Sequence, residues 1–222
     1  MCFNIYQSLI LFILGSYISI KLYNKSLYYK MMIILYYTLM ELVQTLGYLY
    51  IDQCETNINF ALTICSHILV IFQPFLWNFY RTRTNSNKTI FNFSCILSLI
   101  WSFIFTYRLF YGKLGYGVTY GYLDYNEINV GDEYCMLNGV NHIIWKLPYK
   151  SSNGLEPNYF TYLLLWFVPA IYEDYYGYYK LLFWLIQVNI TNIISGSVHE
   201  LSSIWCLFSI PYLCFYFYKY IL

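Results

Sequence analysis

The chain is a succession of long apolar runs parted by short polar stretches. Residues 3–20 carry no charge before Lys21, residues 31–51 carry only Glu41, and residues 58–80 are uncharged around His67 and Pro74. Residues 89–107 end at Arg108. A hydrocarbon core about 30 Å thick takes about 20 apolar residues as one helix, and each of these four runs fits. Residues 111–156 are too polar and too Gly-rich to cross. Residues 159–172 form a shorter apolar run that holds Pro169. Residues 181–218 as one straight helix would reach about 57 Å at 1.5 Å per residue, so the run must break. Ser195-Gly196-Ser197 marks the break, and Ser197 followed three residues later by Glu200 reads as a capping box opening a new helix. The pattern predicts an all-α polytopic transmembrane helix bundle, one integral membrane domain over residues 1–222. Its seven spans are 3–20, 31–51, 58–80, 89–107, 159–172, 181–195 and 198–218, with a long outer loop at 111–156. Six spans remain if the fifth re-enters. The first run lacks the basic start and Ala-x-Ala site of a signal peptide and is expected to be a retained anchor.

Composition agrees. The chain is 59% hydrophobic and 10% charged with mean hydropathy +0.47, whereas soluble domains are roughly 25% charged. A net charge of +1 leaves no basic face for nucleic acid, so the expected partner is the lipid bilayer, with no nucleic acid; protein partner and ligand are not readable. Twenty-nine Tyr and 17 Phe, against Ala61 and Ala170 as the alanines, follow AT-rich codons and suggest a large DNA virus, a protist or an AT-rich bacterium. Lys21, Lys25, Lys30, Arg81, Arg83, Lys88, Lys180 and Lys219 fall on one side of a seven-span topology, while Asp124, Glu127, Asp132, Glu133 and Glu156 fall in the long loop. Basic loops face the cytoplasm, which puts the N-terminus outside or in a lumen and the C-terminus in the cytoplasm.

Soluble catalytic motifs are missing: the sequence has no Gly-x-Ser-x-Gly, phosphate loop, Cys-x-x-Cys or His-Glu-x-x-His, and no cofactor is expected. Polar groups inside lipid are costly and draw attention by default. Thr38, Glu41, Thr45 and Tyr48 recur at helical spacing as one stripe. Counted from the shared end of spans two and three, Glu41 and His67 lie about 15 and about 13.5 Å deep, so the two are expected to face each other. Such a pair is either a structural hydrogen bond or a proton relay, ion site or catalytic pair. Gln44, Gln73, Gln187, Asn189 and Asn192 read as interhelical glue. His142, His199 and Glu200 are weak candidates for a metal, since their spacing carries no ligand signature. Cys65, Cys95, Cys206 and Cys214 read as packing residues. Cys54 and Cys135 are the pair in aqueous loops, either bridged by a disulfide or left as two free thiols. Seven helices with that disulfide share the outline of a rhodopsin-like receptor, but Asn78-Phe79-Tyr80-Arg81-Thr82-Arg83 replaces Asp-Arg-Tyr.

Several stretches carry a closer likeness. They are Met40-Glu41-Leu42-Val43-Gln44, Asp52-Gln53-Cys54 with Asn59, then Thr63, His67 and Phe72-Gln73-Pro74-Phe75 with Asn78. His142 with Trp145 and Glu200-Leu201-Ser202-Ser203-Ile204-Trp205-Cys206 complete the set. Together they resemble an uncharacterised family of polytopic membrane proteins of nucleocytoplasmic large DNA viruses, mimivirus relatives included. The resemblance implies a viral polytopic membrane protein and no particular activity. The functional expectation is a multi-pass, non-enzymatic protein, receptor-like or structural, in a viral or host membrane. Its alternative is an intramembrane enzyme of lipid hydrolase type, metal-dependent or not, or a proton-coupled device using Glu41 and His67.

Overall fold

The computed structural model describes residues 4–113, 133–149, 157–174 and 176–222. The apolar runs are helices, and the described part of the long loop holds a β-hairpin. Helix α1, Ile5–Asn24, is opened by Asn4, whose side chain accepts the N–H groups of Tyr6 and Gln7 at 3.1 and 3.3 Å. Such a cap is worth about 1 kcal/mol. Helix α2 is Tyr28–Leu49, α3 is Asn57–Ile71 and α4 is Gln73–Thr84. The break between α3 and α4 falls at Phe72 because Pro74, lacking an N–H, occupies the first turn of α4. Helix α5, Lys88–Lys113, leads to strands β1, Cys135–Asn138, and β2, Ile143–Lys146, which pair antiparallel with Cys135 opposite Lys146. Helix α6, Tyr159–Phe167, starts with an Asn158–Thr161 capping box and passes at Pro169 into a 3-10 turn, Val168–Tyr172. Helix α7 is Gly177–Ile194, and after a 3-10 turn at Val198–Glu200 the chain ends in α8, Leu201–Ile221.

The fold is mostly helical, and α1, α2, the α3–α4 run and α5 are long and apolar enough to cross a membrane. Tyr159–Tyr172 and Leu201–Phe215 are shorter apolar helices. Three expectations need correction. The fourth run does not stop at Tyr107: Arg108 is buried, its Nη1 donating to the Pro157 carbonyl at 2.5 Å, and α5 continues past it. The sixth run begins at Gly177, earlier than its apolar stretch. The capping box at Ser197 does not form, because the Glu200 carboxylate bonds the N–H of Gly196 instead and reaches on to the hairpin, and the Ser197 hydroxyl has no partner among the described residues. The Tyr-Gly alternation at residues 116–122 lies outside the described residues; the hairpin seen is the one at β1–β2.

The basic turns gather at one end of the bundle. Lys25 Nζ donates to the Tyr220 carbonyl at 3.0 Å, Lys30 Nζ lies 4.0 Å over the Tyr220 ring, and the Ser86 hydroxyl and N–H donate to Asp174 at 2.5 and 2.8 Å. The hairpin and the start of α1 stand at the other end, where the Ser8 hydroxyl meets Gln44. Two contacts set the packing. Gly15 lets α1 approach α2 so closely that a Cβ there would fall on the Thr38 hydroxyl. Trp77, Trp166, Trp184 and Trp205 then bring α4, α6, α7 and α8 into one aromatic cluster, with centroids of Trp166 and its neighbours Trp184 and Trp205 at 4.8 and 5.3 Å.

Candidate functional site

The polar stripe of α2 points into the protein. Thr38, Glu41, Gln44 and Thr45 are all buried. The two threonine hydroxyls return to their own helix, donating to the carbonyls of Ile34 and Glu41 at 2.8 and 2.7 Å. Glu41 is 0% exposed, and neither carboxyl oxygen has a hydrogen-bond partner among the described residues. Ser8 of α1 and Cys206 of α8 stand beside it.

One turn toward the hairpin, Gln44 joins three elements. Its Nε2 donates to the Ser203 carbonyl at 3.3 Å, which fixes the amide so that Oε1 is the acceptor. That oxygen faces the Ser8 hydroxyl at 3.5 Å and His142 Nε2 at 3.2 Å. Nε2 of His142 therefore carries the proton, and Nδ1 accepts from the Tyr48 hydroxyl at 2.6 Å. The imidazole is neutral, its pKa lowered to about 3 by burial.

Three further anchors fix the hairpin that carries His142. Glu200 accepts the N–H groups of Asn141 and His142 at 2.9 and 3.4 Å through one oxygen and that of Gly196 at 2.7 Å through the other. Asn59 exchanges two hydrogen bonds with the Met136 backbone, at 2.8 and 3.0 Å. Cys54 and Cys135 form a disulfide with their Cα atoms 5.1 Å apart. Gly139 allows the close fit, since a Cβ there would fall on Glu200 Oε1 and the His142 carbonyl.

The expected Glu41–His67 pair is not formed. Antiparallel neighbours need not aim at each other: α2 turns Glu41 toward α1 and α8, while α3 turns His67 toward α5 and the segment after β2. His67 Nδ1 bonds the Tyr149 hydroxyl at 2.7 Å, and its ring meets Phe105 edge-on at 5.1 Å. Its Nε2 has no partner among the described residues. Gln73 is buried centrally, accepting from Tyr162 and donating to Met40 Sδ at 3.0 Å and Cys206 Sγ at 3.8 Å. Asn189 and Asn192 are exposed on α7 and bond no other helix among the described residues; the buried stripe of that helix runs through Trp184, Val188 and Thr191. Asn189 instead donates to the Leu185 carbonyl of its own helix at 2.8 Å. Gln187 is half-buried beside that stripe. Of the weak metal candidates, both ring nitrogens of His142 and both carboxylate oxygens of Glu200 are in hydrogen bonds, and among the described residues these two form no ligand cluster with His199. Cys54, Glu133 and Cys135 come within ligand distance of one another, but the two sulfurs are bonded together.

Sequence reading missed a second polar centre, at the basic end. Arg81 is not a water-facing charge. It is fully buried, donating through Nε to Glu173 at 2.8 Å and through Nη1 to Asn78 Oδ1 at 3.0 Å and the Trp166 carbonyl at 2.7 Å. Lys180 also bonds Glu173. The signal available was the three-residue spacing of Asn78 and Arg81, which places both on one helix face.

The arrangement is one of polar side chains that tie helices to a hairpin and to each other, with Glu41 left over. No curated protein and no solved structure matches the chain. A family model does, over residues 6–221, and the chain belongs to that family, the family of unknown function DUF5765.

Proposed function

We propose that the protein is a seven-pass integral membrane protein, a single membrane domain whose role is non-enzymatic, receptor-like or structural. One observation carries the non-enzymatic part. The side chains that would serve as acids, bases or ligands near the hairpin, namely Gln44, His142, Glu200 and Asn59, direct their hydrogen bonds at main chain, at each other or at the hydroxyls of Ser8, Tyr48 and Thr63. The seven-pass part is supported by four long apolar helices, the shorter ones at Tyr159–Tyr172 and Leu201–Phe215, and the intervening α7. Basic turns at one end and the bridged hairpin at the other support a cytoplasmic C-terminus and an outer or lumenal N-terminus. The resemblance to a family of large DNA viruses, with which the AT-rich residue usage agrees, supports a viral source and a viral or host membrane. Protease protection of tags at the two termini tests the topology. Opposite sides, with the C-terminal tag cytoplasmic, are expected; both tags on one side would reduce the spans to six.

A second reading, a proton- or cation-coupled device, has one observation in its favour: the carboxyl of Glu41, enclosed beside Ser8 and without a charged partner among the described residues. An ionised carboxylate costs several kcal/mol in such a site without counter-charge, so Glu41 is neutralised there by a proton or a small cation. Reconstituted protein loaded with a pH dye tests this. Flux abolished by Glu41→Gln with an unchanged melting temperature would favour the device over the non-enzymatic scaffold.

A further inference from the structure

Far from the polar core, a groove of about 670 Å³ opens at the basic end between the start of α2, the end of α4 and the start of α5. Tyr29, Phe79, Arg83, Lys88, Asn92 and Ile96 are among its walls. It contains two cations and no acid. Asp174 accepts from Ser86 in the turn between the two cations, and Glu173 holds Arg81 and Lys180. Among the described residues Arg83 and Lys88 have no acidic partner, and Arg83 lies 5.2 Å over the Phe79 ring.

The position of the groove selects its occupant. Arg83 is next to the end of one apolar run, Asn57–Thr84, and Lys88 begins the next, Lys88–Phe110. Both cations therefore sit at the boundary of the hydrocarbon. Ile96 lies eight residues along α5 from Lys88, about 12 Å deeper at 1.5 Å per residue, and it is exposed together with Phe93. Positive charge at the boundary with an apolar wall running inward matches a phospholipid, and two cations that are in no ion pair among the described residues favour an anionic headgroup over a zwitterionic one. We propose that this groove binds the phosphate-bearing headgroup of an anionic phospholipid in the leaflet at the basic end, with an acyl chain lying along Phe79 and Ile96. The inference rests on the reading of the chain as a membrane protein.

The test uses the full chain in vesicles of equimolar phosphatidylcholine and phosphatidylglycerol, washed with alkaline carbonate, extracted gently in detergent and examined by native mass spectrometry. Phosphatidylglycerol should stay bound in preference to phosphatidylcholine. Arg83→Gln with Lys88→Gln should cut that preference by about fivefold for each cation removed, and the charge reversals Arg83→Glu with Lys88→Glu should abolish it. Lys21→Gln with Lys25→Gln, cations at the same end but outside the groove, should leave it intact. An unchanged melting temperature shows that each variant is folded. Equal retention of the two lipids, or a preference untouched by the groove variants, overturns the proposal. Displacement of the bound lipid by inorganic phosphate alone would also overturn it, in favour of a free-anion site. Release of the protein by carbonate would instead sink the membrane reading itself, so the two failures are distinct.

Discussion

Glu200 Oε1 accepts the backbone N–H of Asn141 at 2.9 Å, so the residue that leads into α8 holds the tip of a hairpin 59 positions earlier in the chain. The same carboxylate takes the N–H groups of His142 and Gly196. Glu200→Ala leaves these donors without an acceptor, at about 1–3 kcal/mol for each that stays buried. Of the three donors only the His142 N–H is buried, so the expected outcome is a loss of about 1–3 kcal/mol in unfolding from detergent and faster proteolysis near residues 139–142. Glu200→Gln keeps one acceptor oxygen and should fall between the variant and the parent. A melting curve for Glu200→Ala that overlays the parent would remove Glu200 from the latch.

Gly139 tests the same latch by size. An added Cβ would collide with Glu200 Oε1 and with the His142 carbonyl, and the carbonyl is backbone that cannot swing aside. Gly139→Ala is expected to destabilise by about 1–3 kcal/mol. At Gly47 the colliding atoms belong to the flexible Met136 side chain, so Gly47→Ala should cost less. Thermal shifts that rank the other way would mean the hairpin tip moves freely.

The neutral state of His142 gives a pH dependence with a definite sign. Its pKa is lowered by burial to about 3 in the folded protein, against about 6.5 when unfolded. Above pH 6.5 both states are neutral and the stability is fully present. As pH falls from 6.5 toward 3 the unfolded chain binds a proton that the folded one refuses, so stability drops by up to ~1.4 kcal/mol per pH unit. The melting temperature should therefore decline between pH 7.5 and 5, and His142→Gln should flatten that decline. An equally steep decline in the variant would assign it to other groups.

Much of this bundle is readable from the chain, and the failures share a cause. Apolar run lengths locate the helices, and breaks fall at Pro74, which lacks an N–H, and at Ser195-Gly196, where helix is disfavoured. Burial of Glu41, Gln44, His67 and Gln73 agrees with their place within apolar runs, whereas Asn189 and Asn192, placed likewise, are exposed. The partners of the buried four do not follow. Whether α2 turns Glu41 toward α3 or toward α1 depends on a rotation about the helix axis that is set by contacts such as Gly15 on Thr38, far apart in sequence. The His142–Gln44 bond likewise needs the hairpin folded down on the bundle, which depends on Asn59, Glu200 and the disulfide acting together. Arg81 was misread because a cation near the end of a run looks the same in sequence whether it meets water or Glu173.

Cys54 and Cys135, 81 positions apart, close a long loop across α3, α4 and α5. A bond of this kind typically contributes about 2–4 kcal/mol. Cleavage within residues 114–132 should leave two fragments that migrate together without reductant and separate with it. Cys54→Ser should abolish the linkage and lower the melting temperature. Rapid alkylation of both thiols in the intact, unreduced protein would contradict the bond.

Arg81 and Glu173 form an ion pair with side chains 0% and 5% exposed, and a buried pair makes a prediction that a surface pair does not. Removing one charge strands the other. Glu173→Ala leaves the guanidinium enclosed by Trp77, Asn78 and the Trp166 carbonyl, which costs about 3–5 kcal/mol when no anion replaces the lost one. Arg81→Met leaves Glu173 with Lys180, whose side chain is 22% exposed and able to follow the carboxylate toward water, so it should be the milder change. Replacing both, as Arg81→Met with Glu173→Leu, removes the charges together with their desolvation and should recover much of the loss, because apolar substitutes for a buried pair are often neutral or better. Unfolding of the parent, both single variants and the double variant in detergent gives the cycle. A double variant as unstable as Glu173→Ala would mean that Asn78, Trp166 and Ser86–Asp174 position α6 and α7 only around the charged form, and that the ion pair is required for assembly.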